Sequence, residues 1–117
     1  MEKIVDGIMN NQVVLVRGGN LNRLIVECGK LQRIPDVILD ETLDAHRVSN
    51  LLSVEKHTEN PSVYIFMRCD DWMSRISTMI RNRKAYIAVV IVTEGGYTTA
   101  TPLIESLADR YVVDYLW

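Results

Sequence analysis

The sequence predicts an α/β fold, a three-layer sandwich around a mostly parallel five-stranded sheet, and three observations predict it. Five short runs, Gln12–Arg17, Asp36–Leu39, Ser62–Met67, Tyr86–Thr93 and Tyr111–Leu116, are nearly continuous in Val, Ile, Leu and aromatic residues. Unbroken apolar runs of this length suit strands buried on both faces. Segments with helical spacing lie between them, and strict alternation of strand and helix is the pattern of right-handed βαβ units.

The elements follow in chain order. Ile4, Val5, Ile8 and Met9 share one face of a short first helix over residues 2–9. After the first strand, Leu21, Leu24, Ile25 and Cys28 recur at i, i+3, i+4 and i+7, with Asn20 as a cap. Val48, Leu51, Leu52 and Glu55 repeat that rhythm after Thr42. Trp72, Met73, Ile76, Met79 and Ile80 follow Asp70 and Asp71, acids suited to a first helical turn. Leu103, Ile104, Leu107, Ala108 and Tyr111 follow Thr101-Pro102, where Thr caps and Pro takes the first helical position.

The chain of 117 residues is long enough for one domain with one core, so residues 1–117 are expected to form a single α/β unit. A hydrophobic share of 48% with 24% charged residues argues against disorder. The net charge of -2 and isoelectric point of about 5.6 exclude a strongly basic nucleic-acid footprint, so nucleic acid is at most an indirect partner. Cys28 and Cys69 lack Cys-x-x-Cys spacing and are expected to be free thiols. His46 and His57 have no metal-ligand or nucleophile partner at a recognisable spacing, so no metal, cofactor or catalytic residue is assigned. No apolar run reaches the roughly 18 residues needed to cross a bilayer. The N-terminal stretch lacks a secretory apolar core, and the expected location is cytoplasmic.

In a parallel sheet the ligand crevice lies beyond the carboxyl ends of the strands. Those ends carry Arg17-Gly18-Gly19-Asn20, Asp40-Glu41, Arg68-Cys69-Asp70-Asp71 and Thr93-Glu94-Gly95-Gly96. The candidate ligand-binding set is therefore Gly18, Gly19, Asn20, Asp40, Glu41, Arg68 and Glu94. The glycine pair has the outline of a phosphate-binding turn in a P-loop or Rossmann-like fold. A working P-loop, however, needs a long nest of backbone donors, a Lys for the outer phosphates and a Ser or Thr for magnesium. Here Asn20 and Asn22 stand in those places and no Lys comes before Lys30. Residues 36–41, "DVILDE", have the form of a Walker B strand, in which Asp40 would orient magnesium and Glu41 a water.

Residues 50–83 carry a longer pattern: Leu51, Leu52 and Glu55, the Asn60-Pro61 turn, the apolar strand Ser62–Met67, and Ile80-Arg81-Asn82-Arg83. This stretch resembles the AAA+ module of DNA polymerase clamp loaders, notably the delta and delta-prime subunits. Residues 96–110, "GYTTATPLIESLADR", are similar to the Pro-Leu helix that follows there. The resemblance implies a sensor strand at 62–67 and a finger-like Arg83 facing a neighbouring subunit, with Arg81 beside it. The first turn lacks Lys and Ser/Thr, as in delta-type subunits that bind no nucleotide, and the segment from it to the Walker B strand is shortened. The resulting expectation is a degenerate, non-catalytic AAA+-like module, an accessory to DNA replication in a phage or plasmid setting. It would bind a protein partner or further copies of itself through Arg81, Arg83 and the apolar end at Trp117. The alternative expectation is an enzyme or sensor that binds a small anionic ligand or nucleotide at the carboxyl edge of the sheet.

Overall fold

The computed structural model describes residues 2–18, 21–53, 62–67, 69–93 and 101–113. Five helices, α1 (Glu2–Met9), α2 (Leu21–Lys30), α3 (Ala45–Ser53), α4 (Met73–Arg81) and α5 (Thr101–Leu107), flank five strands. The strands are β1 (Val13–Arg17), β2 (Ile34–Leu39), β3 (Ser62–Met67), β4 (Ala88–Thr93) and β5 (Arg110–Val113). They form one sheet in the order β2-β3-β4-β1-β5, and every neighbouring pair is parallel. The expected α/β sandwich with a parallel sheet is what the chain adopts.

Alternation along each strand divides the core into two. Val13, Leu15, Tyr64, Phe66, Val89 and Ile91 face α3, α4 and α5, where they meet Leu52, Met73, Ile76 and Ile104. Val14, Val16, Val63, Ile65, Val90 and Val92 face α1 and α2, where they meet Ile4, Ile8, Leu24 and Cys28. Burial on both faces explains the unbroken apolar runs, and central β4 is buried along all six residues. The handedness rule accounts for this division. From β1 the chain travels one way along the sheet to β2, carrying α2 to one face. From β2 onward it travels the other way, carrying α3, α4 and α5 to the opposite face.

Several boundaries differ from the sequence expectation for physical reasons. β2 starts at Ile34 and includes Pro35, which a central strand would not tolerate. It is tolerated because β2 is an edge strand that pairs only with β3. Tyr86 and Ile87 belong to a turn closed by Ile87 N–H donating to the Lys84 carbonyl at 3.1 Å, so β4 begins at Ala88. Asp70 lies in a 3₁₀ turn (Asp70–Trp72), and the N-cap of α4 is Trp72, which makes no side-chain capping bond. The helix over α3 is capped instead by Asp44, whose Oδ1 accepts the His46 N–H at 2.9 Å. Tyr111 belongs to β5 rather than to the preceding helix.

Two helices end alike. Asn11 (φ 55°) and Gln32 (φ 57°) take the left-handed conformation that follows α1 and α2. In each case the next residue reaches back: Gln12 N–H donates to the Gly7 carbonyl and Arg33 N–H to the Cys28 carbonyl, both at 2.9 Å. This is the Schellman arrangement, here without glycine at its left-handed position.

Candidate functional site

Because all strands run the same way, the loops after residues 17, 39, 67 and 93 leave one rim of the sheet. The register aligns Arg17 with Thr93 and Leu39 with Met67. β1 and β4 are neighbours whose outgoing helices, α2 and α5, go to opposite faces. That divergence is the topological switch point, where open α/β sheets bind ligands.

At this point the backbone closes rather than opens. Gly18 has φ 77°, a left-handed conformation that favours glycine, and its N–H donates to the Thr93 carbonyl at 2.9 Å. The amide that would begin a phosphate nest is thus committed to β4. Three residues, 18–20, connect the end of β1 to the start of α2. Gly19, Asn20, Arg68 and Glu94 lie outside the described residues, as do Glu55, Asn60-Pro61, His57 and Trp117. Asp40 and Glu41 sit in a 3₁₀ turn (Asp40–Thr42) directly after β2, with Glu41 exposed. Thr42 holds that turn, its hydroxyl accepting from Leu39 N–H at 3.2 Å and meeting the Leu39 carbonyl at 3.1 Å.

A residue outside the expected ligand set dominates the described part of the rim. Arg17 ends β1 on the same face as Val13 and Leu15, toward α5. Its Nε is buried and has no hydrogen-bond partner among the described residues. Its guanidinium carbon lies 5.8 Å from the centroid of the Tyr111 ring, which is 43% exposed. Beside it in register is Thr93, itself buried. A sequence signal existed: an arginine in phase with the apolar Val13 and Leu15, immediately before a Gly-Gly pair, is an unusual end for a buried strand.

The expected partner-binding arginines divide. Arg81 is exposed and donates weakly to Ser106 Oγ at 3.4 Å. Arg83 turns inward: Nε donates to the Ile87 carbonyl at 2.9 Å, Nη1 to Ile80 at 3.0 Å and Nη2 to Asn11 at 2.7 Å. Burial lowers its pKa from the usual guanidinium range, and the charge of Asp109 partly offsets this. Arg83 therefore holds its own chain together instead of reaching outward as the resemblance implied.

Both cysteines are free and buried. Burial raises the Cys28 thiol pKa, with Arg33 opposing and Glu27 adding to the shift. Cys69 donates to the Met67 and Ile38 carbonyls at 3.3 and 3.5 Å. Neither is placed as a nucleophile. His46 is exposed. Among the described residues, no group of three or more His, Cys, Asp or Glu is arranged to hold a metal ion. No helix of the described residues is long and apolar enough to cross a membrane. A cleft of about 140 Å³ between α3 and α4, lined by Ser49, Leu52, Ser53, Met79 and Asn82, is too small for a nucleotide. No protein-family model matches the chain, and no curated protein matches it significantly.

Proposed function

We propose that the chain is a non-catalytic α/β module that acts by binding another protein, a degenerate AAA+-like accessory to DNA replication in a phage or plasmid setting. The single observation behind the non-catalytic part is the Gly18 amide, bonded to the Thr93 carbonyl within a three-residue connection that has no Lys. A turn so short and so committed cannot wrap a triphosphate.

The AAA+-like part draws support from the order in which the resembling segments fall. The Walker B-like run is β2, Leu51 and Leu52 lie in α3, the sensor-like run is β3, and Arg81 ends α4. Calorimetric titration with magnesium-ATP tests the proposal. We expect no binding at millimolar nucleotide, and tight magnesium-dependent binding would overturn it.

A second reading, a sensor of a small anion at the same rim, is favoured by the switch point between β1 and β4, whose outgoing helices go to opposite faces. Thermal shift against an anion panel separates it from the first, because stabilisation follows ligand concentration over the dissociation constant.

A further inference from the structure

We propose that the outer face of the α1–α2 layer is an interface between two copies of this chain, in which α1 of each copy lies on α2 of the other. The two helix layers differ on their outer surfaces. Among the described residues, α3, α4 and α5 show no exposed large apolar side chain, and their exposed positions carry residues such as Arg47, Asn50, Arg75, Thr78, Arg81 and Glu105. α1 and α2 show three such side chains: Met9 is 60% exposed, Val26 56% and Ile25 37%. The core does not call for them. Leu24 and Cys28 already bury the inward stripe of α2, and at 3.6 residues per turn Val26 lies on the far side of the helix from both. Exposed Ile25 and Val26 also cost helix propensity where no packing within the chain repays it. Gly29, on the same outward side, is exposed, and a Cβ there would meet nothing within 4 Å. A second apolar stripe on a surface helix marks an interaction surface.

The charges select the occupant. On α1, exposed Glu2, Asp6 and Met9 share the stripe opposite buried Ile4 and Ile8, and Lys3 lies to one side of it. On α2, Asn22, Val26 and Gly29 form a stripe with the same i, i+4, i+7 spacing, flanked by exposed Arg23 and Lys30. One helix thus presents acids and the other cations, and each becomes apolar or open toward its C-terminal end. An anionic membrane or nucleic acid would be repelled by Glu2 and Asp6, whereas this face complements itself. Both helices run toward the rim where strands begin, and Arg33, just after α2, donates to the Ile8 carbonyl near the end of α1. A twofold axis along the helices, between two facing layers, therefore lays α1 of each copy on α2 of the other in the same direction. Matching the stripes sets Met9 in the open space over Gly29 and Asp6 over Val26, between Arg23 and Lys30. Symmetry repeats these contacts in an isologous interface. A twofold axis across the helices would instead stack α1 on α1, acid against acid. Lys30 pairs with Glu27 at 3.1 Å, an exposed contact of the kind worth little, so it is free to shift toward Asp6. Helices of 8 and 10 residues are only about 12 and 15 Å long, so the interface is small and the dimer a weak one. The inference does not rest on the replication-accessory reading.

The test is sedimentation equilibrium of the full chain from about 5 µM to about 1 mM, the range in which weak dimers form. We expect a reversible monomer–dimer equilibrium that weakens as salt is added. Val26→Glu, which faces Asp6 of the other copy, and Asp6→Lys should each weaken the dimer by about tenfold or more. Asp6→Lys combined with Arg23→Glu and Lys30→Glu exchanges the charges and should recover the dimer to within about threefold. Gly29→Gln guards against a variant that simply fails to fold: it should raise the urea midpoint through helix propensity, yet weaken the dimer by filling the space meant for Met9. The interface is overturned if the chain stays monomeric to about 1 mM, or if Val26→Glu and Gly29→Gln dimerise like the parent. It is also overturned if Asp6→Lys strengthens the dimer, the mark of acid stacked on acid, or if the charge-exchanged chain does not recover. Tight magnesium-ATP binding would instead overturn the non-catalytic proposal and leave the dimer standing.

Discussion

Among the described residues, the two rims of the sheet differ in how their arginines are satisfied. At the rim where strands begin, side chains from distant segments lock together. Arg33 donates to the Ile8 carbonyl at 3.0 Å and to Asn11 Oδ1 at 2.9 Å, and Arg83 donates to the Asn11 carbonyl. Arg110 donates to Gln12 Oε1, and Asp109 pairs with Val13 twice, its Oδ2 accepting the Val13 N–H and its own N–H meeting the Val13 carbonyl, both at 2.8 Å. At the rim where strands end, Arg17 keeps a buried N–H without an acceptor among the described residues. Similar arginines thus do opposite things: below they clamp the fold, above one is held at a cost to stability.

The difference can be sharpened by breaking the lower rim first. Arg83→Met removes three donors from carbonyls of Ile80, Ile87 and Asn11. We expect a loss of roughly 3 kcal/mol in chemical denaturation, since the acceptors are left without partners. Gly7→Ala comes next. A Cβ there would collide with Val14 Cγ2 and come within 3.2 Å of Arg110 Cδ, at the same rim. The clash should outweigh the gain in helix propensity and lower stability by about 1–3 kcal/mol, read from the denaturation midpoint. Gln32→Gly acts in the opposite direction. It relieves a left-handed residue at the end of α2 and should add roughly 0.5–1 kcal/mol, seen as a higher melting temperature.

The smallest effect is a pH dependence. Burial keeps the Cys28 thiol protonated beyond its ordinary value of 9.0. Its folded pKa is raised, so the folded chain holds a proton that the unfolded chain releases. Its stabilising contribution is complete below pH 9.0 and is lost as pH climbs from there through the folded value. Melts from pH 7 to 10.5 should show the parent losing more above 9.0 than Cys28→Ala does.

Much of the fold was legible because strand burial is a local signal. Every apolar run became a strand, and β3 fell on Ser62–Met67 without adjustment. The common rim was legible too, since βαβ alternation forces parallel strands to end together. Strand order was not: nothing in the run Val13–Arg17 says that it lies between β4 and β5. The start of β2 was not legible, because whether Pro35 can enter a strand depends on whether that strand is an edge. Arg83 misled because a cation at a helix end is ordinarily a solvated one, while its deciding acceptor, Asn11, is 72 residues away. Arg17 stood in the expected rim segment but outside the ligand set; a missing acceptor among the described residues is something no local pattern carries.

Urea unfolding of Arg17→Met beside the parent chain, in a buffer free of carboxylates and phosphate, tests the contrast between the rims most directly. Removing a buried donor that has no acceptor should leave the midpoint unchanged or raise it. A midpoint that falls as far as that of Arg83→Met would show that Arg17 is a structural clamp like its counterparts below, and would contradict the account.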